Sequence, residues 1–263
     1  MNIHPTAIVE SGAQISDEVQ VGAYSIIGPE VRIGVRTTIE SHVVIEGTVE
    51  IGSDNVIGHG SVIGGLPQDL SYKSETHSGV RIGNSNKIRE HCTIHRGTSD
   101  GSFTTIGDRN FLMVGVHLGH NCAIANEVII ANNCLLAGYV EIHDHAFIGG
   151  GTTFHQHMRV GRLVMAQGSS AFDKDIPPFL LGAERNAVAG VNAIGLKRAG
   201  FSAAERDEVK RAFKLLYLSG LNTRQALEAA ATTEFGPIGR EFFAFVAEAK
   251  KRGILTYRGG EEL

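Results

Sequence analysis

The sequence of 263 residues predicts a parallel β-helix of short strands followed by a small helical domain. Three observations carry that reading. Aliphatic residues recur every sixth position over most of the first two thirds of the chain, two stretches interrupt this frame without ending it, and after Gly200 the pattern changes to that of amphipathic helices.

The six-residue frame runs unbroken through Ile3, Val9, Ile15, Val21, Ile27, Ile33, Ile39, Ile45, Ile51, Ile57 and Ile63. It resumes at Ile82, Ile88 and Ile94, and again from Ile106 through Leu112, Leu118, Ile124, Ile130, Leu136, Ile142, Ile148, Phe154 and Val160 to Ala166. Neither the 3.6-residue period of a helix nor the two-residue period of a flat strand fits it. Short strands joined by tight corners do, with the aliphatic residue pointing into a narrow core and the following residue, often Gly as at Gly22, Gly28 and Gly58, expected to supply the corner geometry. Three strands close one coil of about 18 residues, so about 25 hexads make roughly eight coils and a prism on the order of 40 Å long. Residues 65–79 and 95–105 are expected to be loops thrown out from it, where function collects on a rigid scaffold.

In the tail, Ser202 with Glu205 three places on forms a capping box opening a helix that Gly220 stops. Two further helices follow, over 223–236 and from Pro237 to Gly253. The expected division is therefore a β-helical domain over 1–195 and a helical domain over 196–263.

Composition excludes several classes. No apolar run reaches the ~18 residues of a membrane span, and the N-terminus lacks the basic and apolar regions of a signal peptide, so a cytoplasmic protein is expected. The three cysteines, an odd number, do not make a disulfide framework. Cys92, Cys122 and Cys134 each precede an inward aliphatic residue by two places and are assigned to core packing. Basic residues are not interleaved with aromatics, which argues against nucleic acid. Charge is uneven: residues 1–194 hold 12 Lys and Arg against 19 Asp and Glu, residues 195–263 hold 12 against 9, and a basic tail suits an acidic partner.

Residues 18 apart stack on adjacent coils, so His120, Gly138 and Gln156 form one column. Asn121, Tyr139 and His157 form its neighbour, and Gly119, Ala137 and His155 the one before. A polar patch of His117, His120, Tyr139, His155, Gln156 and His157 gathers on one corner, with His120 facing outward and burial in the core not expected. A zinc site of the gamma-class carbonic anhydrase type needs two histidines five apart and a third two coils earlier. Here the pair His117 and His120 is three apart and position 84 is Asn, so no metal is expected. The patch alone also fits a solvated surface on a non-catalytic scaffold.

The hexads resemble those of hexapeptide-repeat proteins, and the resemblance implies an all-β left-handed parallel β-helix, against the usual right-handed crossover. Four stretches are more particular: PQDLSY (67–72), IREHCTIHRGT (88–98), HLGHNCAIANEVIIANNCLLAG (117–138) and GVNAIGLKRAGF (190–201). With these, nearly the whole chain is similar to the UDP-N-acetylglucosamine acyltransferase family that begins lipid A synthesis. That resemblance implies transfer of a 3-hydroxyacyl chain from acyl carrier protein to the 3-hydroxyl of a UDP-sugar, without a cofactor. His120 falls at the general base and Gly138 at the backbone N–H that stabilises the oxyanion. Gln68 and Asp69 fall at hexosamine contacts, His117 beside the base, His155 and Gln156 near the phosphates, and Asn192 and Arg198 at nucleotide contacts, with Tyr139 where a His is usual.

Departures from the family pattern are Asn121 for Asp after the base, Ser71 for Lys and Ala199 for Arg. They leave open an amine acceptor, the 3-amino analogue of the sugar nucleotide, which would need a weaker base. The N-acyltransferase acting two steps later in the pathway carries a uridine-binding domain before its prism, whereas here the hexads start at residue 3. Flat prism faces and a corner patch needing a second wall predict a homotrimer. The basic face Lys197, Arg198, Arg206, Lys210, Arg211 and Lys214 is the expected dock for acyl carrier protein.

Overall fold

A computed structural model describes residues 2–257 and Gly259. Short strands, most of two residues, stack into three parallel sheets that form the faces of a left-handed triangular prism. Ten parallel strands stack on the first face, the last of them Leu180–Ala183, nine on the second and eight on the third, giving eight complete coils and two sides of a ninth below that last strand. From Val21 to Ala166 every residue of the six-residue frame is buried, whereas Ile3, Val9 and Ile15 in the first coil are only half covered because no coil lies beneath them. The three cysteines are fully buried in this core; burial pushes the Cys92 thiol up to about 11 and that of Cys122 up to about 12.

The corners depart from expectation. The glycine after the inward aliphatic residue is not where the left-handed backbone occurs; that falls two residues later, on Tyr24, Arg36, His42, Asn121, Tyr139 and their equivalents, with φ of 58–61° at these five. The glycines answer a different need. A Cβ on Gly22 would lie 2.7 Å from the carbonyl carbon of Glu40, and one on Gly58 2.5 Å from that of Arg89, because the next coil passes directly over them.

The two frame breaks are loops, shorter than anticipated because strands extend into them. Thr93–His95 and Phe103–Ile106 leave 96–102 as the second loop, and Val62–Gly65 and Gly79–Ile82 leave 66–78 as the first. Paired residues are 31 apart across the first, as in Val62 with Thr93, and 24 apart across the second, as in Thr93 with His117, instead of the usual 18. The loops are bonded together: Gly101 N–H donates to the His77 carbonyl (2.8 Å), His77 N–H to Asp100 Oδ1 (2.8 Å) and the Ser78 hydroxyl to the Gly97 carbonyl (2.6 Å).

Beyond the ninth coil an antiparallel hairpin, Leu180–Ala183 with Ala187–Val191, leads into four helices: α1 (Ala193–Arg198), α2 (Ala203–Tyr217), α3 (Thr223–Thr232) and α4 (Pro237–Ala247). The hairpin and α1 carry no six-residue signal, and the expected domain boundary at 195 falls inside α1. The Ser202–Glu205 capping box opens α2 as expected, while α4 ends well before Gly253. The helices pack back on the last coils. Buried Arg159 binds Asp175 (2.8 Å) and Glu248 (3.0 Å) and donates to the Phe245 carbonyl (3.0 Å), while Arg162 grips Glu241 through both carboxylate oxygens. None of the described helices is long and apolar enough to cross a membrane.

Candidate active site

The corner between the second and third faces carries the predicted patch, and the two loops fold over it. His120 points away from the prism axis, yet only 5% of it is exposed. What covers it is not core. Asp69 of the first loop brings Oδ2 to 3.9 Å from His120 Nε2, and the Tyr139 ring packs edge-on against the imidazole at 5.3 Å.

Gly138 makes the close fit possible. A Cβ there would lie 2.3 Å from His120 Cε1, so the imidazole rests on bare backbone. The Gly138 carbonyl accepts from His157 N–H (3.0 Å), whereas its N–H meets no acceptor among the described residues. His120 Nδ1 is 3.1 Å from Asn121 Oδ1. The carboxylate expected to be missing beside His120 is thus replaced at Nδ1 by an amide oxygen, while Asp69 supplies a carboxylate on the Nε2 side.

Asp69 Oδ1 accepts from both the backbone N–H (2.8 Å) and the hydroxyl (2.7 Å) of Ser71. Those bonds, and then the nearby His120, hold its carboxyl below the usual range. Ser71 therefore orients this carboxylate.

Gln68, His117, His120, Gly138 and Gln156 line one cavity of about 250 Å³. It opens past Gln156 into a wider cleft of about 580 Å³ that includes His155, Asp173 and Arg185. His117 Nδ1 is 2.7 Å from the Thr93 hydroxyl, and burial pushes its pKa down. Exposed His157 stacks flat on Tyr139 at 4.6 Å.

Two expected residues lie elsewhere. The Asn192 side chain caps α1, accepting from Gly195 N–H and donating to the Leu163 carbonyl, both at 2.9 Å. Leu163 belongs to the next corner round the triangle, below α1, and Arg198 ends the same helix exposed. Within one chain neither lines the His120 cavity. Of the basic face, Arg206 donates to the Phe201 carbonyl, Lys210 pairs with Asp207 (3.1 Å), and Arg211 donates to the Glu234 carbonyl (3.1 Å). Lys197, Arg198 and Lys214 are exposed without an ion pair among the described residues.

Two cavity neighbours escaped the sequence reading. His95 lines the cavity, its Nδ1 2.6 Å from the Leu66 carbonyl and its ring edge-on to His117 at 5.1 Å. It follows inward Ile94 as Gly119 follows Leu118, so it heads the column of Gly119, Ala137 and His155; the second loop hides that by changing the spacing to 24. Thr98, in the second loop, has its hydroxyl 3.0 Å from both Asn121 Oδ1 and the Tyr139 hydroxyl. Among the described residues no group of three or more His, Cys, Asp or Glu is placed to hold a metal.

Residues 175–255 match the family model for UDP-N-acetylglucosamine O-acyltransferase, domain 2, and residues 103–138 that for bacterial transferase hexapeptide repeats. A protein of Syntrophobacter fumaroxidans named acyl-[acyl-carrier-protein]–UDP-N-acetylglucosamine O-acyltransferase is 44% identical over 97% of this chain and 100% of its own length. One of the same name from Synechocystis is 47% identical over 94% of this chain and 90% of its own. The solved structure of LpxA from Acinetobacter baumannii superposes with a TM-score of 0.92 at 38% identity, over 96% of this chain and 99% of that one.

Proposed function

Because this chain belongs to the family of acyl-[acyl-carrier-protein]–UDP-N-acetylglucosamine O-acyltransferases, we propose that it moves a 3-hydroxyacyl group from acyl carrier protein to the 3-hydroxyl of UDP-N-acetylglucosamine, the first step of lipid A synthesis. The observation that carries the mechanism is the placement of His120: nearly buried, seated on Gly138, with Nε2 toward Asp69 at the loop-covered cavity.

Nε2 takes the proton of the sugar hydroxyl as its oxygen attacks the thioester carbonyl. The tetrahedral oxyanion receives the uncommitted N–H of Gly138, which needs no reorganisation to meet it. Collapse breaks the carbon–sulfur bond, and the imidazolium returns its proton to the departing thiolate. Gln68 and Asp69 hold the sugar, with His117 beside the base, while His155 and Gln156 at the cavity mouth face the diphosphate.

Asn192 and Arg198 sit on the next corner of the same prism, so as nucleotide contacts they serve the His120 cavity of an adjacent copy, which is the reason to expect a homotrimer. The exposed Lys197, Arg198 and Lys214 suit the acidic surface of acyl carrier protein.

The test is turnover of 3-hydroxyacyl carrier protein with UDP-N-acetylglucosamine, followed by mild alkali, which cleaves an ester and spares an amide. An alkali-labile product is expected, and His120→Ala should lower turnover by roughly 10² or more with melting unchanged. A variant keeping more than half the activity would remove His120 as base, and an alkali-stable product from the 3-amino analogue as the preferred reaction would change the acceptor.

A further inference from the structure

Thr98 reaches from the second loop to the amide beside the base. Its backbone N–H lies 3.1 Å and its hydroxyl 3.0 Å from Asn121 Oδ1, the same atom that stands 3.1 Å from His120 Nδ1. A backbone N–H can only donate, so the Asn121 atom facing it is the oxygen rather than the NH₂. Facing an oxygen, His120 Nδ1 must carry the hydrogen, and in the neutral ring Nε2 is then the unprotonated nitrogen. The Thr98 hydroxyl, donating to Asn121, is left to accept from the Tyr139 hydroxyl 3.0 Å away.

We infer that Thr98 is a positioning residue: by holding the Asn121 carboxamide oxygen toward His120, it sets the tautomer that leaves Nε2 able to take a proton. The inference rests on the reading of His120 as the base. A carboxylate at position 121 would present an acceptor whichever way it turned. A carboxamide has one face of each kind, and half a turn would aim its NH₂ at Nδ1, drive the ring hydrogen to Nε2 and leave no base in the cavity. Asn121 therefore needs an orienting group that Asp would not. The second loop can supply it because its bonds to the first loop fix its position.

The test compares Thr98→Val, which keeps the backbone donor and loses the hydroxyl, with Thr98→Ser, which keeps both, in the parent and in an Asn121→Asp background. In the parent, Thr98→Val, which loses one of the two donors that orient the amide and keeps the backbone N–H, is expected to lower kcat about three- to fivefold, with KM for the UDP-sugar unchanged, and Thr98→Ser to stay near the parent. In the Asn121→Asp background the same Thr98→Val change should cost less than twofold. Should the valine variant fail to fold, Thr98→Ala takes its place.

Nitrogen-15 NMR of histidine-labelled protein, with the His120 signal assigned by its loss in His120→Gln, reads the tautomer without reference to activity. The parent should show hydrogen on Nδ1, and Thr98→Val a mixture. An equal kcat loss in both backgrounds, or an unchanged tautomer in Thr98→Val, would overturn the inference. A tautomer shift without loss of kcat would support it while removing His120 as the base.

Discussion

The imidazole of His120 lies directly on the Cα of Gly138, close enough that any side chain at position 138 would overlap the ring. Gly138→Ala should therefore push the ring off its seat while leaving the coil paired. Loss of turnover of 10²-fold or more is expected, with melting lowered by only a few degrees, since a misplaced base costs rate out of proportion to the movement. Steady-state kinetics beside a thermal melt checks this; a fully active alanine variant would show the contact to be irrelevant to catalysis.

Separate corners for His120 and Arg198 make a mixing experiment informative. If the site is shared between copies, His120→Ala and Arg198→Ala are each poorly active alone, yet co-expressed subunits should recover part of the activity, because some boundaries then combine an intact His120 with an intact Arg198. No recovery over either variant alone, in preparations shown to contain mixed oligomers, would place both residues in one chain's site.

The basic helices offer a prediction about the donor. Lys197→Glu with Lys214→Glu reverses two exposed charges, neither held in an ion pair among the described residues. The apparent KM for the acyl carrier thioester should rise severalfold at low ionic strength and converge with the parent at high salt, while KM for the UDP-sugar stays constant. An unchanged donor KM at low salt would move the docking surface elsewhere.

Burial pushes the pKa values of His95 and His117 down, which ties stability to pH. In the unfolded chain these rings protonate as pH falls below about 6.5, whereas the folded ones resist until lower pH. Their stabilising effect is therefore complete above about 6.5 and lost as pH drops from there toward the folded values. Asp69, shifted down by Ser71, contributes in the same direction only in the carboxylate range, below about pH 4. Melting temperatures at pH 7.5 and 5.5 should differ for the parent and differ less for a His95→Gln, His117→Gln double variant.

How far the sequence reaches is clear from particular residues. The period of six placed the core from Val21 to Ala166 and brought His120, Gly138, Tyr139 and Gln156 to one corner, because coils of constant length make stacking a matter of counting. Counting fails where a loop changes the spacing, so His95 was not connected to its column although it lines the same cavity as His120. It cannot show what a loop covers either, so neither the cover over His120 nor the reach of Thr98 to Asn121 follows from the period. The hairpin over 180–191 and helix α1 escaped for a third reason: their side chains pack against the end of the prism and carry no period of their own.

The left-handed corner residues bear on how such a site could arise. Asn121, Tyr139 and His157 have φ of 59°, 61° and 63°, yet Glu18 at 62° and Arg36 at 58° adopt the same conformation on coils far from the cavity. The backbone strain at the corner that carries His120 is thus the ordinary strain of every turn of the prism. What distinguishes the corner is the choice of side chains and two loops laid across them. A prism of this kind offers many equivalent corners with the same aim, so relocating or duplicating a site calls for new side chains and a new covering loop on an unaltered frame.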